Sequence, residues 1–414
     1  MLFLFLEWLW KCGWSVEVRG CRAGDGGQGG ARSGTVKKFV IMSADVAASV
    51  GGKPVRRLVI ACGGTGGHLF PGIAVAQEAG RRGWETMLLI SEKQIDALAV
   101  QGHQELRFEK VPAVAMPGVF SLKFPGFLWR VWRTRAHCRG LLKSFGADAV
   151  LGMGGFTSLP PVWAGKGLGL RTFVHESNAV PGKANRLTAR FCTGVLLGLE
   201  ACAKFFPAGK TQVTGTPLRT ALLTRPDRAE ALRFFGLSEG KKTVLVMGGS
   251  QGARGVNRAM VEALPMLAAQ GVQVLHITGP KEYDGLKAAY DASPVEAAVV
   301  PFCQEMGLAY AAADVAVSRS GASSLTELSA FGLPVILVPY PTAADDHQRR
   351  NADVFTAAKA AVAVEEAELG GGKLGDLLTA LLADEAERQR LGEAMKTLAP
   401  ADAAARVCDA VAGV

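Results

Sequence analysis

Arg56-Arg-Leu-Val-Ile-Ala-Cys62 runs directly into Gly63-Gly-Thr-Gly-Gly67, and Thr243-Val-Leu-Val-Met247 runs in the same way into Gly248-Gly-Ser-Gln-Gly252. A brief apolar run that empties into glycines reads as a parallel strand covered on both faces and followed by a tight turn. Behind the first run, a helix-like stretch reaches to about Arg82, and further strand candidates stand at 85–90, 149–153 and 172–175. Behind the second they stand at 272–278, 298–302, 314–318 and 334–338. Two such series predict an α/β chain of two Rossmann-like doubly wound domains facing a cleft. Turn residues cluster at Thr214-Gly-Thr-Pro217, so the expected domains are 55–217 and 218–398. Residues 399–414 are expected to be a closing helix, with a return to the first domain as one option.

The 414 residues are 49% hydrophobic and 20% charged, which suits two packed cores and excludes a disordered chain. The net charge of +9 favours an anionic partner, and composition leaves nucleic acid, a lipid surface and a phosphorylated substrate open. The eight cysteines form no CxxC pair and no zinc-like set with histidine, which predicts a reduced cytosolic protein. No stretch reaches the roughly 18 apolar residues of a spanning helix. The start, Met1-Leu-Phe-Leu-Phe-Leu-Glu7-Trp-Leu-Trp10, resembles a signal peptide but has no basic leader and is broken by Glu7. Residues 1–54 are therefore expected to be a low-complexity extension outside the fold, with Met42 as an alternative start.

The first glycine loop leaves backbone N–H groups open to an anion, and the helix behind it adds its positive end. That signal alone is weak: no Gly-Lys-Ser/Thr follows, and the spacing is not Gly-x-Gly-x-x-Gly. His68, directly after the glycines, is the specific element. A helix start disfavours an imidazolium, which suits a neutral general base, although a lone histidine is as readily a capping or packing residue. Taken singly, Glu327 reads equally as a helix-end carboxylate and Glu176 as the partner of a nearby arginine.

The order of the motifs decides between these readings. Gly63-Gly-Thr-Gly-Gly-His68-Leu-Phe-Pro71, Gly152-Met-Gly-Gly155, His175-Glu-Ser-Asn-Ala179, Gly248-Gly-Ser-Gln-Gly-Ala253, Ser318-Arg-Ser-Gly-Ala322 and Asp346-His-Gln348 to Asn351-Ala352 follow one another. In this order they resemble the bacterial undecaprenyl-diphospho-muramoylpentapeptide N-acetylglucosaminyltransferases, which have the GT-B arrangement. The resemblance implies inverting transfer of N-acetylglucosamine from UDP-N-acetylglucosamine to the 4-hydroxyl of lipid I, forming lipid II, at the cytoplasmic face of the inner membrane. It further implies His68 as general base and Thr65, Gly66 and Gly67 as the donor-binding loop. Asn178 and Gln348 would meet the sugar, Arg219 and Ser250 the diphosphate, Glu327 at a helix start the ribose, and the backbone at Cys303 the uracil. The chain departs from the family pattern at Ser177, Phe156 and Ser323-Ser324, which touches details of sugar contact rather than the reaction. With no Asp-x-Asp triplet, neither a bound metal nor another cofactor is expected.

Residues 117–146 contain no Asp or Glu but carry Lys123, Arg130, Arg133, Arg135, Arg139 and Lys143, interleaved with Phe120, Leu122, Phe124, Phe127, Leu128, Trp129 and Trp132. Cations beside apolar wedges suit an anionic bilayer, whereas a basic helix whose aromatics enter the core is the plainer alternative. No nucleic-acid module accompanies the patch, so no nucleic-acid partner is expected. Two rivals remain: a transferase of the same fold acting on another lipid acceptor such as a diacylglycerol, and a non-catalytic nucleotide-binding membrane scaffold. An acceptor panel separates the first, and UDP-sugar turnover the second.

Overall fold

The two glycine-terminated runs open two separate parallel sheets. The structure, a computed structural model, describes residues 54–63, 66–91, 102–112, 116–117, 121–249 and 251–414, all within one unit that spans Val50–Val414. Thr65, Ser250, Phe120 and nearly all of the 1–54 extension lie outside the described residues.

The first half begins with β1 (Arg57–Ala61), α1 (Gly66–Arg81), β2 (Glu85–Ile90), β3 (Phe108–Lys110), α2 (Phe124–Phe145) and β4 (Ala149–Gly152). It continues through α3 (Gly155–Lys166), β5 (Arg171–Glu176), α4 (Lys183–Thr188), β6 (Gly194–Leu197) and β7 (Thr211–Val213). Its seven strands are all parallel, in the order β3-β2-β1-β4-β5-β6-β7. The strand period of two sends Leu58 and Ile60 to one face and Val59 and Ala61 to the other, and all four are fully buried. Leu69, Ile73 and Ala76 of α1 cover the first face, and Cys138, Leu142 and Phe145 of α2 cover the second.

The second half starts with α5 (Arg228–Phe235), β8 (Thr243–Met247), α6 (Arg254–Ala269), β9 (Gln273–Ile277), α7 (Tyr283–Asp291), β10 (Ala297–Val300) and α8 (Met306–Ala312). There follow β11 (Val315–Ser318), α9 (Ala322–Phe331), β12 (Val335–Leu337), α10 (His347–Ala357), β13 (Val362–Ala363), α11 (Lys373–Ala383) and α12 (Glu385–Lys396). The six-stranded sheet runs β10-β9-β8-β11-β12-β13, again all parallel. One apolar cluster joins the halves: Ala179 and Leu199 of the first pack with Leu245, Tyr310, Phe331 and Phe355 of the second.

The last helix, α13 (Ala403–Ala412), lies against α1, where Val407, Cys408 and Val411 enter the core of the first sheet. Arg82 fixes it by donating to Asp409 at 2.5 Å and to the Ala405 carbonyl at 3.1 Å, and Arg171 donates to the Ala412 carbonyl at 2.7 Å.

In both sheets the strand order reverses beside the opening strand, between β1 and β4 and between β8 and β11. Crossovers leave in opposite directions at such a point, so a crevice opens outside the carboxyl ends of those strands. The loops that line it follow β1, β4, β8 and β11, and three of them carry His68, Gly154 and the approach to Glu327.

Candidate active site

His68 stands in the first turn of α1, half-buried, and its ring faces the loop after β4. That loop turns at Gly154 with φ of +117°, and a Cβ there would lie 2.8 Å from His68 Nε2. Only glycine satisfies both the backbone angle and the close approach. Ser158 secures the turn: its hydroxyl lies within hydrogen-bond distance of the carbonyls of Ala61 and Gly154, at 2.9 and 2.7 Å, and links β1 to α3. The second histidine nearby has another role. His175 is fully buried, Nε2 donates to the Gly215 carbonyl at 2.9 Å, and Nδ1 lies 3.3 Å from the Ser177 hydroxyl. Burial holds it below the usual histidine range, outweighing its bond to the Gly215 carbonyl and the charge of Glu176, so it stays neutral and structural.

Beyond β5, Glu176 organises the whole His175–Ala179 turn. Its Oε1 accepts from Asn178 N and Nδ2 at 3.0 and 2.9 Å, and its Oε2 from Gly182 N and Asn185 Nδ2 at 3.0 and 2.9 Å. The alternative reading of Glu176 as the partner of an arginine is thus set aside: four N–H groups satisfy its lone pairs. Asn178 reaches the second half, accepting from Asn351 Nδ2 at 3.1 Å, and Asn351 also donates to the Ser320 carbonyl at 3.0 Å. Ser320 in turn donates to the Gln348 carbonyl at 2.7 Å, while Gln348 Oε1 accepts the Tyr340 N–H at 2.9 Å. Asn178 and Gln348 therefore belong to one connected set across the cleft.

A small pocket in the cleft is lined by Gly66, Phe70, Arg219, Ser323, Thr326 and Glu327 among others. Gly67 and Ser323 belong to the first turns of α1 and α9, and the Ser323 hydroxyl lies 3.4 Å from the Gly67 carbonyl. Two helix N-termini from the two sheets thus converge, each with its positive end toward the same space. Arg219, on the segment between the sheets, donates to Glu327 at 2.9 Å and stacks over Phe70 at 4.8 Å. Glu327 sits in the second turn of α9 rather than at its start as expected, so its partners are side chains and not the helix end. One of them is Tyr310, whose hydroxyl donates at 2.7 Å and whose pKa burial and the Glu327 charge push well above the ordinary value, keeping the phenol a donor.

The second glycine loop is locked against β9. Gly252 has φ of +77°, and a Cβ there would stand 2.1 Å from the Thr278 carbonyl. Asn257 in α6 donates to that same carbonyl at 3.0 Å and to Glu282 at 2.7 Å, and it meets His276 Nε2 at 3.1 Å. Arg319, largely buried, donates to the carbonyls of Val338 and Pro339, each at 3.1 Å, and pairs with Glu366. Cys303 is half-buried, and burial pushes its thiol up, so the side chain is a neutral thiol rather than a thiolate. The structure thus gathers His68, Gly66, Gly67, Arg219 and Glu327 around one cleft, with Asn178 and Gln348 on the adjoining bridge. Residue reading missed Tyr310, Phe70 and the part played by Asn351. Of these, Phe70 and Asn351 stood within motifs of the sequence and Tyr310 did not.

Residues 58–197 match the glycosyltransferase family 28 N-terminal domain, and residues 243–407 match the glycosyltransferase family 28 C-terminal domain. The chain is 39% identical over 357 residues to the UDP-N-acetylglucosamine–N-acetylmuramyl-(pentapeptide) pyrophosphoryl-undecaprenol N-acetylglucosamine transferase of Geotalea uraniireducens, covering 85% of this chain and 97% of that one. It is 40% identical to the protein of that name from Geobacter sulfurreducens, again over 85% and 97%. The crystal structure of Acinetobacter baumannii MurG superposes with a TM-score of 0.68 at 26% identity, covering 86% of this chain and 99% of that chain. A Neisseria meningitidis UDP-GlcNAc 2-epimerase shares only the fold, with a TM-score of 0.62 at 14% identity over 85% and 98% of the two chains. Matched in both halves and along nearly the whole length of its relatives, the chain belongs to the UDP-N-acetylglucosamine–N-acetylmuramyl-(pentapeptide) pyrophosphoryl-undecaprenol N-acetylglucosamine transferases of glycosyltransferase family 28.

Proposed function

We propose that this protein transfers N-acetylglucosamine from UDP-N-acetylglucosamine to the 4-hydroxyl of the muramoyl sugar in lipid I, with inversion at the donor C1, to give lipid II. The observation that carries the reading is the meeting of Gly67 and Ser323, which sets a half-buried histidine next to two converging helix N-termini, with Arg219 stacked on Phe70 of the same helix. His68 takes the proton of the attacking hydroxyl as the new bond to C1 forms. The bond from C1 to the UDP oxygen breaks, and the charge that develops on the diphosphate is met by helix ends and by Arg219. Glu327 accepts the ribose hydroxyls, and the bridge through Asn178 and Gln348 borders the donor sugar. Thr65, Ser250 and the Cys303 backbone complete the donor contacts in this reading.

The acceptor carries a long lipid, so the protein must meet a bilayer, and we assign that contact to 117–146 at the cytoplasmic face. Among the described residues no helix is long and apolar enough to cross a membrane, so the attachment is peripheral in this scheme. The deciding assay is transfer of labelled N-acetylglucosamine to a short-chain lipid I analogue, run beside a diacylglycerol. Product from the first alone supports the reading. Product from the diacylglycerol alone, or no turnover with either, rejects it.

A further inference from the structure

The two oxygens of Glu327 are held in unlike ways. Oε2 accepts from the Tyr310 hydroxyl at 2.7 Å, and Tyr310 is buried in the core with its ring 5.2 Å from that of Phe331. Nothing at that position moves without opening the core. Oε1 accepts from Arg219 Nη2 at 2.9 Å, but Arg219 lies on the segment between the sheets. Its guanidinium stacks on Phe70, and its Nε is buried with no hydrogen-bond partner among the described residues. A buried N–H without an acceptor disfavours the arrangement that contains it. The Arg219 contact is therefore the one open to replacement.

We propose that donor binding is an exchange of partners on Glu327: with Oε2 fixed by Tyr310, the ribose hydroxyls take Oε1 from Arg219, and the released guanidinium passes to the diphosphate. This rests on Glu327 being the ribose-binding carboxylate. A diol supplies neutral O–H donors that replace a cationic one, so the exchange is favourable only when an anion receives the guanidinium. The diphosphate does so, and it also provides the acceptor that Nε lacks. Arg219 then acts against a bare nucleoside and in favour of a nucleoside diphosphate. Tyr310 is a positioning residue, holding the carboxylate in place through the exchange.

Calorimetric titration of the full chain with uridine and with UDP tests the idea. Arg219→Met keeps an apolar stem over Phe70 and removes the guanidinium. Uridine is expected to bind roughly three- to tenfold tighter, as its competitor is gone, while UDP binds roughly tenfold or more weaker. Shifts of both ligands in the same direction, or unchanged uridine binding, overturn the exchange. Arg219→Lys retains the charge that balances Glu327 and serves if the methionine variant does not fold. Its ammonium lacks the planar fork, so smaller shifts of the same opposed signs are expected, and a common sign again overturns the proposal. Glu327→Ala separates the premise: unchanged uridine binding refutes the ribose reading itself. Weakened uridine binding there with no opposed shifts in the Arg219 variants refutes the exchange alone. For Tyr310→Phe, UDP should weaken more than 2′,3′-dideoxy-UDP, whereas equal weakening removes the positioning role.

Discussion

Asn351 joins Asn178 across the cleft, donating its side-chain amide to Asn178 Oδ1 at 3.1 Å while its own Oδ1 accepts the Ala179 N–H at 2.8 Å. With the Ser320 carbonyl as a further acceptor, one fully buried amide holds two loops of different sheets in register. Asn351→Leu is close in volume but leaves those groups without partners. Each orphaned buried group costs about 1–3 kcal/mol, so a loss of that order or more is expected in urea unfolding. A loss below about 0.5 kcal/mol would show that water or a shift of the loops replaces the bridge.

His68 is placed by the loop after β4 as much as by its own helix. If it takes the acceptor proton, His68→Ala should lower kcat by roughly 10² to 10⁴ and leave UDP affinity nearly unchanged. Gly154→Ala should reproduce part of that loss, because the added methyl would stand 2.8 Å from Nε2 and displace the ring. Wild-type turnover in His68→Ala would remove the residue from the mechanism. A Gly154→Ala enzyme with full activity would mean that the ring tolerates displacement.

How much of this was legible in sequence depends on what each residue packs against. The strands at 57–61, 85–90 and 243–247 announce themselves because, after a polar first residue or two, every position is apolar and buried on both faces. The edge strands β3 (Phe-Glu-Lys) and β7 (Thr-Gln-Val) carry polar residues on an open side and only three positions each, too few for any period. β6 is apolar but follows a helix of only six residues, which hides it from the usual strand-and-covering-helix rhythm. In the site, His68 and Glu327 were readable through motif order. Tyr310 was not: its hydroxyl matters only because α8 sets it against α9, a contact with no local pattern. Glu176 stood in a quoted motif, yet its four amide donors come from the turn it organises and not from the charge partner a linear reading supplies.

The histidine under the second glycine loop makes a prediction about acid. His276 is buried, with Nδ1 2.9 Å from the Tyr290 hydroxyl and Nε2 3.1 Å from Asn257 Oδ1, and burial pushes its pKa down to about 3. The unfolded chain takes up a proton near the ordinary histidine pKa of about 6.5, whereas the folded chain resists it. Above that pH both states are neutral and the group has no effect on stability. As pH falls from 6.5 toward 3, this group should reduce stability by up to about 1.4 kcal/mol per unit. His276→Gln has no such proton to gain, so its stability should fall less steeply over that window. Parallel curves for the two proteins would place the acid sensitivity elsewhere, with the buried His175 as the next candidate.

The surface of α2 decides the membrane question. Phe127, Val131, Thr134, Cys138, Leu142 and Phe145 turn inward, so part of the aromatic content of 117–146 serves the core. Trp129 and Trp132 do not: they are 57% and 48% exposed, with Arg133 5.3 Å over the Trp129 ring, and Leu122 just ahead of the helix is fully exposed. Arg135 behaves differently from its neighbours, stacking 4.4 Å over Trp163, and burial lowers its pKa. Reversing Arg135 would therefore damage the packing of α2 on α3 and confuse the result. The informative variant is Arg130→Glu with Arg133→Glu. A surface cation is worth about 1 kcal/mol on an anionic bilayer, so two reversals should weaken binding to anionic vesicles by roughly 30-fold or more. Trp129→Ala with Trp132→Ala should weaken it by an amount that added salt does not change, because apolar burial is not screened. Turnover of a water-soluble acceptor should survive in both, since His68 and Glu327 stand on other elements. Vesicle binding that persists in both double variants would make this face an ordinary basic surface. Loss of soluble turnover would instead tie α2 to the active site through its packing on α3, the helix that follows the Gly154 turn.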